Sequence, residues 1–155
     1  LTPIQLVTSD QARGLAELAR GSVSQRFAGH YRGYFGGMVR EHGREPRVKS
    51  LLYAYRVALT GIHLFETGEL RGDVVENARE HATDHAAIEE LVLLKASGTE
   101  KGALPAELDR AHAPRLSAIE VKLEESIAHT RLPPEAPNRG AIERFLIEAR
   151  LRDLG

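Results

Sequence analysis

The sequence contains no cysteine and no tryptophan, and only one methionine. The absence of cysteine excludes disulfide bonds and metal sites built from thiolates. No run of about 18 uncharged apolar residues occurs, so no membrane-spanning helix is expected. The chain does not open on a signal-like apolar segment either. Together these absences predict a soluble domain located in the cytoplasm.

An excess of charge of one sign is also missing, because 21 basic and 22 acidic residues leave a formal net charge of −1. No overall field therefore favours nucleic acid or an anionic membrane, and a contact with RNA would need a local basic patch. Alternation of polar and apolar residues never lasts long enough to predict a strand, and helical spacing instead predicts a mainly α fold, a bundle of about five to seven helices. Residues 1–8 are expected to be a linker or the end of a preceding domain, and residues 9–155 the helical domain.

Capping residues and breakers give the expected ends of the helices. Proline at position 114 is expected to kink or interrupt its helix, because it lacks the N–H that a helix interior needs. The expected helices are Gln11 to Gly21, Ser24 to Arg40, Pro46 to Thr67, Asp73 to His81, Ala86 to Ala96, Pro105 to His129 and Arg139 to Asp153.

The segment from Pro46 to Glu69, read as a helix, is apolar around most of its circumference, which is typical of a helix inside a protein. Polar side chains nevertheless recur on it at steps of three and four residues, which places them on one narrow strip. The strip consists of Lys49, Tyr53, Arg56, Thr60, His63 and Thr67. Two interpretations stay open: pairing with protein carboxylates and carbonyls, or binding of a phosphate by the arginine fork and the lysine ammonium.

Four glycines interrupt the second expected helix, at positions 29, 33, 36 and 37. Each costs about 1 kcal/mol against alanine, so we expect a backbone or a ligand to approach this helix closely. His30 lies among these glycines, and it is interpreted either as a histidine packed between helices or, from the resemblance described below, as a contact to a nucleotide or to the palm domain. His81 and His85 are four residues apart, so two imidazoles on one helix face could form half of a zinc site, although a solvated helix is favoured.

Three stretches resemble the helical region of nucleotidyltransferases of the DNA polymerase β superfamily, and in particular the bacterial group associated with RNA repair. The stretches are HYRG at His30–Gly33, VKSLLYAYRVALTGIHLFETGEL at Val48–Leu70 and KASGTEKGAL at Lys95–Leu104. The resemblance implies transfer of a nucleoside monophosphate from an NTP to a hydroxyl acceptor, which could be an RNA end. It further implies phosphate contacts by Lys49 and Arg56, orientation of a phosphate or sugar by Tyr53, and secondary contacts by His30 and Thr60.

The catalytic signature of that superfamily is not found in this sequence. Its members place an Asp-x-Asp or Asp-x-Glu pair after a Gly-Gly or Gly-Ser turn, and these carboxylates bind two Mg²⁺ ions. Gly21-Ser22 and Gly36-Gly37 are not followed by such a pair, and the chain begins at Leu1. We therefore expect the C-terminal helical part of an enzyme, inactive alone, with the Mg²⁺ ligands on a palm domain missing from this chain. The alternative is a non-catalytic module that docks a separate palm subunit or an acidic partner.

Overall fold

The structure is a computed structural model that describes residues 9–98 and 104–153. This part of the chain forms α-helices and no β-strand, which confirms the mainly α fold. The helices are α1 (Asp10–Arg20), α2 (Phe27–Arg44), α3 (Val48–Thr67), α4 (Val74–His81), α5 (His85–Ala96), α6 (Ala106–Ala128) and α7 (Arg139–Asp153). The segment expected to be a linker, residues 1–8, lies outside the described residues, as does the centre of the KASGTEKGAL stretch.

Local capping explains most of the helix ends. The side chain of Ser9 accepts a hydrogen bond from the backbone of Ala12 at 3.1 Å, which satisfies a free N–H at the start of α1. Asp73 does the same for Val75 and Glu76 at the start of α4. At the end of α3, Gly68 has a φ of 80°, a left-handed conformation that glycine adopts without strain. The predicted boundaries at these sites are therefore confirmed.

Both expected ends of α2 are wrong, and the helix ends at Arg44 rather than at Arg40. Helix α2 begins at Phe27 rather than near Ser24, because Gln25 bonds instead to the segment at 132–133: its backbone N–H donates to Pro133 at 2.9 Å and its side chain to Leu132 at 2.8 Å. Helix α6 continues through Pro114 without the expected interruption. Pro114 is exposed on this helix, where water can bond the carbonyl group that its missing N–H leaves free.

The chain divides into two compact units, and the larger comprises residues 26–131. Helix α3 is its centre, since α2, α4, α5 and α6 all pack against α3. Several apolar side chains of α3 are completely inaccessible to solvent, namely Leu51, Ala54, Ala58, Leu59 and Ile62. The prediction that this helix lies inside the protein is therefore confirmed.

Close packing occurs at a glycine of α3 and not at the glycines of α2. A Cβ atom added to Gly61 would lie 2.9 Å from side-chain atoms of both Tyr31 and Leu123. By contrast, a Cβ atom at Gly29, Gly33 or Gly37 would meet no described atom within 4 Å. The expected close approach of another backbone is thus wrong for these three positions, and the approach of a ligand to this side of α2 stays a prediction.

The smaller unit combines residues 1–25 and 132–155, and its described part contains α1 and α7, which pack together. A Cβ atom at Gly14 would lie 2.9 Å from the ring of Phe145, and the side chain of Asn138 donates to the carbonyl of Leu18.

Among the described residues of the chain, none of the helices has the length and apolar character needed to cross a membrane.

Candidate functional site

A groove of about 470 Å³ lies on the larger unit, between α2, α3 and the loop that joins α3 to α4. Helix α2 contributes residues one turn apart, and α3 contributes residues at steps of three and four, so each helix presents one face to the groove. The lining residues are His30, Tyr31, Tyr34, Tyr53, Arg56, Val57, Thr60, Leu70 and Gly72.

Four of the five residues implied as nucleotide contacts line this groove: His30, Tyr53, Arg56 and Thr60. The fifth, Lys49, is exposed one helical turn before Tyr53 and does not border the groove. His30 is exposed too, and so is not enclosed between helices. The polar strip of α3 therefore divides, with its middle part in the groove and its N-terminal residue outside.

Aromatic rings form one wall of the groove. The ring centroid of His30 lies 5.3 Å from that of Tyr31 in an edge-on arrangement and 5.8 Å from that of Tyr34. Tyr31 is buried, which raises the pKa of its phenol and keeps it neutral. Tyr34 remains 43% exposed, so its ring is open to a ligand. Tyr34 was not predicted as a site residue, although it lies one turn after His30 on the same helix.

The charge of the groove is positive. Arg56 is exposed, and within the described residues no carboxylate lies at ion-pair distance from its guanidinium group. None of the lining residues is acidic. Outside the lining, the ammonium group of Lys95 lies 5.6 Å from the centroid of the Tyr53 ring, a cation–π arrangement. The groove thus combines cationic groups with open aromatic rings.

Arg32 of the HYRG stretch has a different environment from Arg56. Its guanidinium donates to both carboxylate oxygens of Glu124 on α6, at 2.6–2.9 Å. This hydrogen bonding holds the pKa of Glu124 below its usual value. Arg32 therefore connects α2 to α6 and does not contribute to the groove.

His63, in the C-terminal part of the polar strip, belongs to a second polar cluster that also contains Glu80 and His81. His63 is buried, and its Nδ1 lies 3.1 Å from Nε2 of His81 on α4. The hypothesis that His81 and His85 share a helix face is wrong, because α4 ends at His81 and His85 begins α5, where it is exposed. Burial lowers the pKa of His63 and of His81, so both imidazoles are held neutral.

The one group of three metal-capable side chains found among the described residues does not fit the Mg²⁺ ions that the polymerase β superfamily uses. Mg²⁺ requires oxygen ligands in near-octahedral geometry. Across the described ranges, one group of three metal-capable side chains has its donor atoms within 4.8 Å of one another, namely His63, Glu80 and His81. Two of its three donors are imidazole nitrogens, and it lies apart from the groove lining.

Comparison with protein families gives a match over nearly the whole chain. Residues 1–148 match the family described as the RNA repair pathway DNA polymerase beta family. No curated protein and no solved structure matches the chain. The family match confirms the resemblance seen in the helical motifs, and members of this superfamily generally use divalent metals. This chain belongs to the RNA repair pathway DNA polymerase beta family.

Proposed function

We propose that the chain forms the helical wall of a nucleotide-binding cleft in a nucleotidyltransferase. In this proposal the enzyme transfers a nucleoside monophosphate from an NTP to a hydroxyl acceptor, such as an RNA end. The observation that carries the proposal is the groove between α2 and α3, where an arginine without a carboxylate partner among the described residues adjoins open aromatic rings. Family membership supplies the reaction class.

The lining residues suit different parts of a nucleotide. The planar guanidinium of Arg56 can bind two phosphate oxygens at once. The exposed ring of Tyr34, beside His30, offers a surface on which a base can stack. Tyr53 and Thr60 add hydroxyl groups that can bond a sugar or a phosphate. Lys49, one turn away, would contact a more distant phosphate of the NTP or of an RNA acceptor.

The proposal assigns Mg²⁺ and the reacting phosphates to a palm, either in the same protein or on a separate subunit. The donor set supports this division, because the one group of three metal-capable side chains among the described residues contains two imidazoles and does not suit Mg²⁺. The residues of this chain would bind and orient the nucleotide, while the acidic residues of the palm would hold the metal.

The test is titration of the protein with ATP in the presence of MgCl₂, followed by NMR of backbone amides. Shifts should concentrate at residues 30–34, 53–60 and 70–72. Replacement Arg56→Gln should weaken binding about 10- to 100-fold, since a hydrogen bond to a charged group contributes about 1.5–3 kcal/mol. Lys49→Gln should have a smaller effect.

The matched control is Arg110→Gln, which removes an exposed arginine on α6 that does not line the groove. Equal effects of the Arg56 and Arg110 replacements, or shifts spread away from the groove, would reject the assignment. Unchanged ATP affinity in Arg56→Gln, together with lost binding of an acidic protein partner, would favour the non-catalytic interaction module instead.

A further inference from the structure

The polar cluster at the end of α3 has a hydrogen-bonding conflict. Glu66 approaches Nδ1 of His81 at 3.1 Å. Because an ionised carboxylate only accepts hydrogen bonds, this nitrogen carries the proton, and Nε2 of neutral His81 has a lone pair. On the other side, the guanidinium of Arg71 lies 3.2 Å from Nδ1 of His63. Since arginine only donates, this nitrogen also presents a lone pair.

With Nδ1 of His63 facing an arginine donor and Nε2 of His81 unprotonated, no hydrogen atom lies between these two nitrogens, which are 3.1 Å apart. A cation bonded to both nitrogens stabilises such a contact. Both residues are buried, with 4% and 6% of their surface exposed, so solvent has little access to the pair. A metal ion satisfies both nitrogens without making either imidazole cationic.

The distances agree with a tetrahedral site. Two ligands bonded to Zn²⁺ at 2.0–2.1 Å lie about 3.3–3.4 Å apart when the geometry is tetrahedral. The two histidine nitrogens are 3.1 Å apart, and the Glu80 carboxylate oxygen Oε1 lies 3.8 Å from His63 and 3.6 Å from His81. A shift of a few tenths of an ångström in the half-exposed side chain of Glu80 would equalise these distances.

Outer groups already hold the ligands in position. Glu66 fixes the tautomer of His81, which is the carboxylate–histidine arrangement common at zinc sites. Glu66 itself accepts a hydrogen bond from Ser126 on α6 at 2.8 Å. Arg71 binds the second oxygen of Glu80 and donates to Asn77 at 2.6 Å, so it orients the carboxylate. Lys122 donates to the backbone carbonyl of His81 rather than to the cluster.

We propose that His63, Glu80 and His81 form a binding site for a divalent transition metal of the Zn²⁺ type, with a fourth position open to water. The ion replaces the contact between Arg71 and His63 and connects α3 to α4. Two nitrogens and one carboxylate oxygen suit Zn²⁺ and not Mg²⁺. This site is separate from the groove, so its test does not depend on nucleotide binding.

The experiment is isothermal titration of the chelator-treated full chain with ZnCl₂ at about pH 7.5, with MgCl₂ in a parallel titration. We expect one equivalent of Zn²⁺ to bind with micromolar or tighter affinity and Mg²⁺ not to bind. Glu80→Gln should weaken Zn²⁺ binding at least about 10-fold, whereas Glu90→Gln, a matched change on α5, should leave it unchanged.

Because His63 and His81 are buried, replacing either would disturb the core, so their part in metal binding is tested by NMR of the unchanged chain. Nitrogen NMR of the imidazole rings should show Zn²⁺-dependent shifts at Nδ1 of His63 and Nε2 of His81, and none at exposed His85. No Zn²⁺ binding, binding that Glu80→Gln does not weaken, or shifts centred on His85 or His129 would each overturn the proposal.

Discussion

Two arginines on neighbouring helices, Arg32 and Arg56, differ in whether a carboxylate binds them, and this difference determines their roles. Arg32 is held by both oxygens of Glu124, while Arg56 has no carboxylate at ion-pair distance in the described structure. The sequence places both in motifs shared with the family, and spacing alone cannot tell which is paired. The partner of Arg32 lies 92 residues away, and only the packing of α2 and α6 brings it near.

The ion pair between Arg32 and Glu124 should contribute little to stability at neutral pH. Both side chains are about half exposed, so a double-mutant cycle with Arg32→Gln and Glu124→Gln should give a coupling free energy below about 1 kcal/mol. The folded pKa of Glu124 is lowered, so this contribution is present above the unfolded value of about 4.3 and is lost as pH falls through the folded pKa. Urea unfolding of the four proteins at about pH 7 and pH 3 measures both effects. A coupling that persists at the lower pH would contradict this account.

At the scale of elements, α3 organises the larger unit because its neighbours approach it on several sides. Its ends follow from local signals, the αL glycine at position 68 among them, and these were predictable. Which face meets which neighbour was not predictable. The pairing of His63 with His81 depends on how α4 folds back on α3, and the open side of α2 could not be inferred from its glycine content.

Two glycine replacements should change stability in opposite directions. Gly61→Ala places a Cβ atom 2.9 Å from Tyr31 and Leu123, and overpacking should outweigh the gain in helix propensity, for a net loss of up to about 2 kcal/mol. Gly33→Ala meets no described atom within 4 Å, so it should stabilise by about 0.5–1 kcal/mol. Urea unfolding measures the free energy of unfolding of both variants. A more stable Gly61→Ala variant would contradict the prediction, since it would show that Tyr31 and Leu123 move away from the added Cβ atom at little cost.

At the scale of the whole molecule, the apolar core and the buried histidines occupy the same unit. Among the described residues, every buried apolar side chain lies between residues 28 and 123. Four buried histidines, His42, His63, His81 and His112, share this interior. Hydrophobic periodicity predicted the apolar core, because burial of α3 follows from its composition. It did not predict the histidines, whose hydrogen bonds join helices distant in sequence, such as Tyr55 to His112 at 2.9 Å.

The free energy of unfolding should fall as the pH is lowered through about 6.5, the pKa of histidine in the unfolded chain. Burial lowers the folded pKa of His63, His81 and His112, so below that pH the unfolded chain binds protons that the folded chain does not. The slope is at most about 1.4 kcal/mol per pH unit for each histidine. Urea unfolding between about pH 5 and 7.5, with a chelator present, measures it.

Two variants identify the source of that slope. The double replacement Tyr55→Phe/His112→Leu removes both hydrogen-bonding partners and should reduce the slope, whereas His85→Gln, at an exposed position, should leave it unchanged. A flat profile in the wild-type chain would contradict the account of buried neutral histidines.

The contact between Tyr31 and Gly61 also has a consequence for evolution. Tyr31 lines the groove on one side and presses on Gly61 on the other, with its ring 5.9 Å from that of Phe65. A larger residue at position 61 would require smaller ones at positions 31 and 123, and the change at position 31 would reshape the groove. Related sequences should therefore substitute these positions together, so that the shape of the groove changes only when the interior beneath it changes as well.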